Sequence, residues 1–130
     1  MATWNTVRRY ALALPGALEE TSYGSAAWKV NKKLFVWERP LRKSALAALG
    51  ETAPTGAILG VRTPDLEMKE ALLLSAPQVV FTTPHFDGYP AVLVQLDKIS
   101  AKSLKELIVE AWLARAPERS VREYLATKKR

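Results

Sequence analysis

The 130-residue chain contains no cysteine. Disulfides, thiolate zinc sites, iron–sulfur clusters and thiol nucleophiles are therefore excluded by inventory, and packing alone must hold the domain. Histidine is almost as scarce, with His85 the single example. One imidazole among scattered carboxylates has none of the ligand spacing of a zinc or calcium site, so no metal and no cofactor is expected. The phosphate-cradling patterns GxxxxGK[ST] and GxGxxG are missing, as are the nucleophile elbow GxSxG and the zincin helix HExxH. No apolar run approaches the 18 or so residues of a membrane span, and residues 1–9 lack the apolar core of a secretory leader. The expectation is a cytoplasmic protein with no membrane contact and no catalytic residues, hence not an enzyme.

What is present is an ordinary globular composition, 48% hydrophobic and 25% charged, with four tryptophans to anchor a core. The length suits one domain, expected over residues 1–126, followed by a basic tail at 127–130. The net charge of +6 is unevenly spread. Residues 28–43 carry Lys29, Lys32, Lys33, Arg39, Arg42 and Lys43 against Glu38, a balance of +5. Residues 44–114 sum to −3 and residues 115–130 to +4, so the molecule is expected to be electrostatically polarised and to attract polyanions on one side.

Hydrophobic periodicity places a helix over residues 3–14, where Trp4, Val7, Tyr10, Ala11 and Leu14 share a face before the Pro15-Gly16 stop. A short strand over residues 17–21 follows. Residues 26–30 and 34–38 then form the clearest hairpin, turning at Asn31-Lys32-Lys33. Strict alternation puts Trp28 with Val30 on one face and Phe35 with Trp37 on one face, which makes these aromatics core and leaves the lysines wet. A short helix is expected over residues 42–49 before Gly50, a strand over 57–62, and a helix opened by Thr63-Pro64-Asp65 and running to Ala76. Strands over 79–82 and 91–96, a helix capped by Ser100 or Ser103 with an apolar stripe from Leu104 to Trp112, and a last helix started by Pro117 complete the chain. This order implies an α+β fold, an antiparallel sheet with helices packed on one face.

Candidate chemistry is sparse. His85 and Asp87 could in principle form a base and its orienting carboxylate, but side chains two apart in a turn more often shape the connection. Asp65, Glu67 and Glu70 crowd a helix start, where they complement its dipole. The basic hairpin interleaves Lys29, Lys32 and Lys33 with Trp28, Phe35 and Trp37, the mixture of phosphate-neutralising and stacking groups that nucleic-acid binders use.

Three segments in order carry a family resemblance. They are Ala11-Leu12-Ala13-Leu14-Pro15-Gly16 with Glu19-Glu20, the hairpin from Trp28 to Trp37, and Thr83-Pro84-His85-Phe86 leading into Ala91-Val92-Leu93-Val94. With Leu104-Lys105-Glu106-Leu107-Ile108 and Ala111-Trp112 they make residues 4–117 resemble the MmcQ/YjbR family. The stretch from Arg42 to Gly50 reads as an insert, and Phe86-Asp87-Gly88-Tyr89 replaces a more basic loop. The resemblance implies an α-β(3)-α-β(2)-α fold, similar to secretion chaperones and to double-wing DNA-binding domains, and with it a DNA-binding role. On that basis DNA is the expected partner, contacted by Lys29, Lys32, Lys33, Arg39, Arg42 and Lys43, with Arg119, Arg122 and the tail from Lys128 to Arg130 assisting. The alternative is a protein-interaction or small-ligand module built on a groove around Trp37, His85, Phe86 and Tyr89.

Overall fold

The computed structural model describes residues 2–22, 24–40, 47, 49, 50 and 56–128. Helix α1, Trp4–Leu12, begins in a capping box in which Thr3 and Thr6 satisfy each other's backbone N–H groups, and it buries Val7 and Ala11. Strands β1 (Ala17–Ser22), β2 (Ser25–Val30), β3 (Lys33–Glu38) and β4 (Ile58–Arg62) follow. Helix α2, Leu66–Ser75, is capped by the Asp65 side chain. Strands β5 (Val80–Phe81) and β6 (Ala91–Gln95) flank a 3-10 turn at Pro84–Phe86, and helices α3 (Ala101–Arg115, capped by Ser100) and α4 (Glu118–Lys128) close the chain.

All six strands form one antiparallel sheet in the order β1-β2-β3-β4-β6-β5. The α+β class is as expected, with four strands before α2 where the formula α-β(3)-α-β(2)-α has three. The helix expected over residues 42–49 falls largely outside the described residues.

One face of the sheet, called the inner face here, carries Trp28, Val30, Val36, Leu59, Val61, Val92 and Val94, all at most 2% exposed. Each of the helices α1 to α4 contributes side chains to this core, among them Val7, Leu72, Ile108 and Tyr124. Burial of each large apolar side chain there contributes about 1.5–3 kcal/mol. Two tryptophans also find polar partners. Trp112 Nε1 donates to the Pro15 carbonyl at 3.0 Å, tying α3 to the turn before β1. Trp28 Nε1 donates to Glu19 Oε1 at 2.9 Å.

The expectation that Phe35 and Trp37 share a face is overturned by a β-bulge. Trp28 pairs with Val36 and Lys29 with Leu34, so Phe35 is an extra residue in β3. Phe35 and Val36 therefore both enter the core, each 0% exposed, and the alternation resumes one residue out of phase. Trp37 consequently lies on the opposite, outer face with Ile58, Phe86, Ala91 and Leu93.

Candidate nucleic-acid interface

The outer face begins at Gly60. Trp37 is its cross-strand partner, and a Cβ on residue 60 would overlap the indole atoms Cε2, Cζ2 and Nε1. The backbone of Gly60 is not left-handed, so glycine is needed for space alone. The indole thus lies against the β4 backbone and is partly buried against Phe86. Cross-strand order places Lys29, Leu34, Arg39 and Arg62 on this same outer side, since Lys29 pairs with Leu34 and Gly60 precedes Arg62 by two.

The loop between β5 and β6 supplies the other wall. Phe86 N–H donates to Thr83 O at 2.9 Å, Asp87 N–H to Pro84 O at 3.1 Å and Tyr89 N–H to Phe86 O at 3.0 Å, which makes the loop a chain of tight turns. From α2, Lys69 Nζ donates to the carbonyls of Phe86 at 2.5 Å and Tyr89 at 2.8 Å. Lys69 is 7% exposed, and burial lowers its pKa, an effect the nearby Asp87 carboxylate opposes. The loop is so held with Phe86 buried and Tyr89 42% exposed. Ring centroids step from Trp37 to Phe86 at 6.3 Å and on to Tyr89 at 6.2 Å.

Two arginines complete the surface. Arg39 Cζ lies 5.1 Å from the Phe86 ring centroid. Arg62 Cζ lies 5.1 Å from that of Tyr89, with its Nε donating to Thr63 O at 3.3 Å. Trp37, Arg39, His85, Phe86 and Tyr89 together with Leu34 line a groove of about 320 Å³. A second hollow of about 360 Å³ adjoins it across Leu34, Trp37 and Arg39, and brings in Lys29 and Lys32.

The four residues of the expected aromatic groove are therefore brought together, and three of the six expected DNA-contacting cations, Lys29, Lys32 and Arg39, border the same surface. Lys29 is paired with Glu20 at 3.0 Å, a half-exposed contact worth little and easily exchanged. Lys32 sits in the hairpin turn, where Asn31 and Lys32 both adopt positive φ, at 50° and 66°. Lys33 is exposed but pairs with the inward Val30, so the pleat sends it to the other side. Arg42 and Lys43 lie outside the described residues, as do Lys129, Arg130 and the side chain of Lys128. Arg119 and Arg122 belong to α4 in the helical layer, where Arg119 bonds Glu123 at 3.3 Å, away from the outer face.

Arg62 and Lys69 were not anticipated. Lys69 was legible, since it stands on the stripe continued by Leu72, Leu73 and Ala76, a buried position at helical spacing. Arg62 could have been found from its two-residue spacing to Gly60. His85 packs edge-on against Phe86 at 5.1 Å between centroids and thus serves the wall of the groove. Among the described residues, no group of three or more histidine and carboxylate side chains could hold a metal ion. No helix among them is long and apolar enough to cross a membrane.

A family model described as YjbR matches residues 12–114. Uncharacterised protein Rv2570 of Mycobacterium tuberculosis and uncharacterised protein Mb2600 of Mycobacterium bovis are each 50% identical over 129 residues, covering 97% of this chain and 98% of theirs. Among solved structures, Deinococcus radiodurans protein DR2400, with a DUF419 domain, matches with a TM-score of 0.66 at 22% identity. That match covers 87% of this chain and 78% of the other, and it shows the shared fold.

Proposed function

The chain belongs to the YjbR family, and from that premise we propose that it is a DNA-binding protein without catalytic activity that contacts phosphates through the outer face of its sheet. The observation that carries this reading is the grouping of Lys29, Lys32, Arg39 and Arg62 around one surface that no helix among the described residues covers. A polyanion meeting four cations on a shared face gains affinity by releasing its condensed counterions. The net charge of +6 favours the encounter at longer range.

Titration of duplex and single-stranded DNA at several salt concentrations tests it. Four neutralised phosphates give a slope of log affinity against log salt of roughly −3, so raising salt tenfold weakens binding about a thousandfold. The double variant Arg39→Gln/Arg62→Gln should bind more weakly and show a shallower slope. Absence of binding at low salt, or a slope near zero, would refute the reading.

A second reading draws on the same groove. Leu34, Trp37 and Phe86 give it an apolar floor, which suits an apolar small ligand or the side chain of a protein partner. In that case the arginines fix orientation and binding is nearly independent of salt.

A further inference from the structure

We infer that the occupant of the outer-face groove is single-stranded DNA, with an unpaired base stacked on Trp37 and a neighbouring one on Tyr89. This rests on the DNA-binding reading and names the form of nucleic acid that the site takes. A purely electrostatic surface needs only cations, yet here the cations frame aromatic rings. Trp37 lies on Gly60 with one side against the backbone, is only partly buried, and lines both hollows of the outer face. Tyr89 is 42% exposed on a loop fastened at two carbonyls by Lys69. Phe86 stands between them, 6.3 Å from one ring and 6.2 Å from the other.

A duplex cannot stack on these rings, because its base faces are already stacked on each other. A single strand can splay its bases onto rings while its phosphates reach the surrounding charges. Lys29 and Lys32 border the hollow on one side of Trp37, and Arg62 lies over Tyr89 at the other end. Cations therefore flank the aromatic row at both ends, complementary to a strand laid along it. Since every base offers a π face, the site is expected to tolerate sequence.

The test compares a twelve-residue oligothymidylate with a duplex of equal length, using the full chain and the variants Trp37→Leu and Tyr89→Leu. Tyr89→Leu leaves the backbone carbonyl bonded by Lys69 intact, which keeps the test valid if Trp37→Leu folds poorly. The expected result is preferential binding of oligothymidylate, with tryptophan fluorescence quenched. Each variant should bind it about tenfold more weakly with an unchanged salt slope, and Trp37→Leu should abolish most of the quenching. If both variants bind oligothymidylate within twofold of the parent while Arg39→Gln/Arg62→Gln still weakens binding, stacking is overturned and DNA binding stands. If neither form of DNA binds at low salt, both fall. Saturable binding of an apolar dye that Trp37→Leu abolishes, with no response to oligothymidylate, would assign the groove to an apolar ligand and also overturn the inference.

Discussion

Replacing Gly60 with alanine perturbs the platform at its base. The added Cβ would overlap three atoms of the Trp37 indole, and Trp37 is itself anchored in β3 opposite residue 60. The ring must lift or change rotamer, and forced repacking of this kind costs about 1–3 kcal/mol. Against that, alanine in a strand regains about 0.5–1 kcal/mol of the backbone entropy that glycine loses. The net expectation is destabilisation by about 1–2 kcal/mol, a shift of the urea midpoint by roughly 0.5–1 M. The same substitution made in Trp37→Leu has little left to collide with, so it should be neutral or slightly stabilising. Urea unfolding of the four proteins in this cycle measures the coupling directly. If Gly60→Ala raises the midpoint of the parent protein, the indole does not lie on the β4 backbone and the platform reasoning fails.

Lys69→Met removes two hydrogen bonds to the loop but also removes a buried charge, so the loss of stability should be modest, about 1–2 kcal/mol. Its larger effect should be local, with faster hydrogen exchange at the amides of Phe86, Asp87 and Tyr89 than elsewhere in the sheet. Glu19 accepts from Arg8 Nε at 2.7 Å and from Trp28, and the bond from Arg8 chiefly holds its pKa below the ordinary 4.5. A carboxylate with a lowered folded pKa contributes stability that is present above the ordinary value and disappears as pH falls through the folded one. Glu19→Gln, which keeps an acceptor for the Trp28 indole, should therefore flatten the stability profile below about pH 4.5. Urea midpoints measured between pH 3 and pH 6 check this, and an unchanged slope would contradict it.

Much of the fold could be read from the residues. Ser100 as a cap, Pro15-Gly16 as a stop and the interrupted apolar stripe at Ala116-Pro117 bound their elements because each acts within a few residues. The bulge at Phe35 could not be read this way. The run Leu34-Phe35-Val36-Trp37 is apolar throughout, so alternation has no polar residue to set its phase, and the pairing of Lys29 with Leu34 decides which ring is buried. The site inherited that ambiguity. The aromatic set Trp37, His85, Phe86 and Tyr89 was visible as chemistry, and so were the hairpin lysines, but their union on one surface depends on contacts between β3 and a loop more than forty residues away. Arg62 entered with them because β4 lies between β3 and β6.

The contact proposed above lays a nucleic-acid strand on the outer face, against Trp37. The chain has four indole N–H groups, those of Trp4, Trp28, Trp37 and Trp112, and each contributes one signal to a nitrogen–proton correlation spectrum. Trp28 and Trp112 are buried beneath the helices, and Trp4 stacks on Trp28 at 6.4 Å between centroids. Titration with oligothymidylate at low salt should move the Trp37 signal progressively and leave those of Trp28 and Trp112 in place. A Trp37 signal that stays fixed while the others move, or a spectrum in which none responds, would contradict the account.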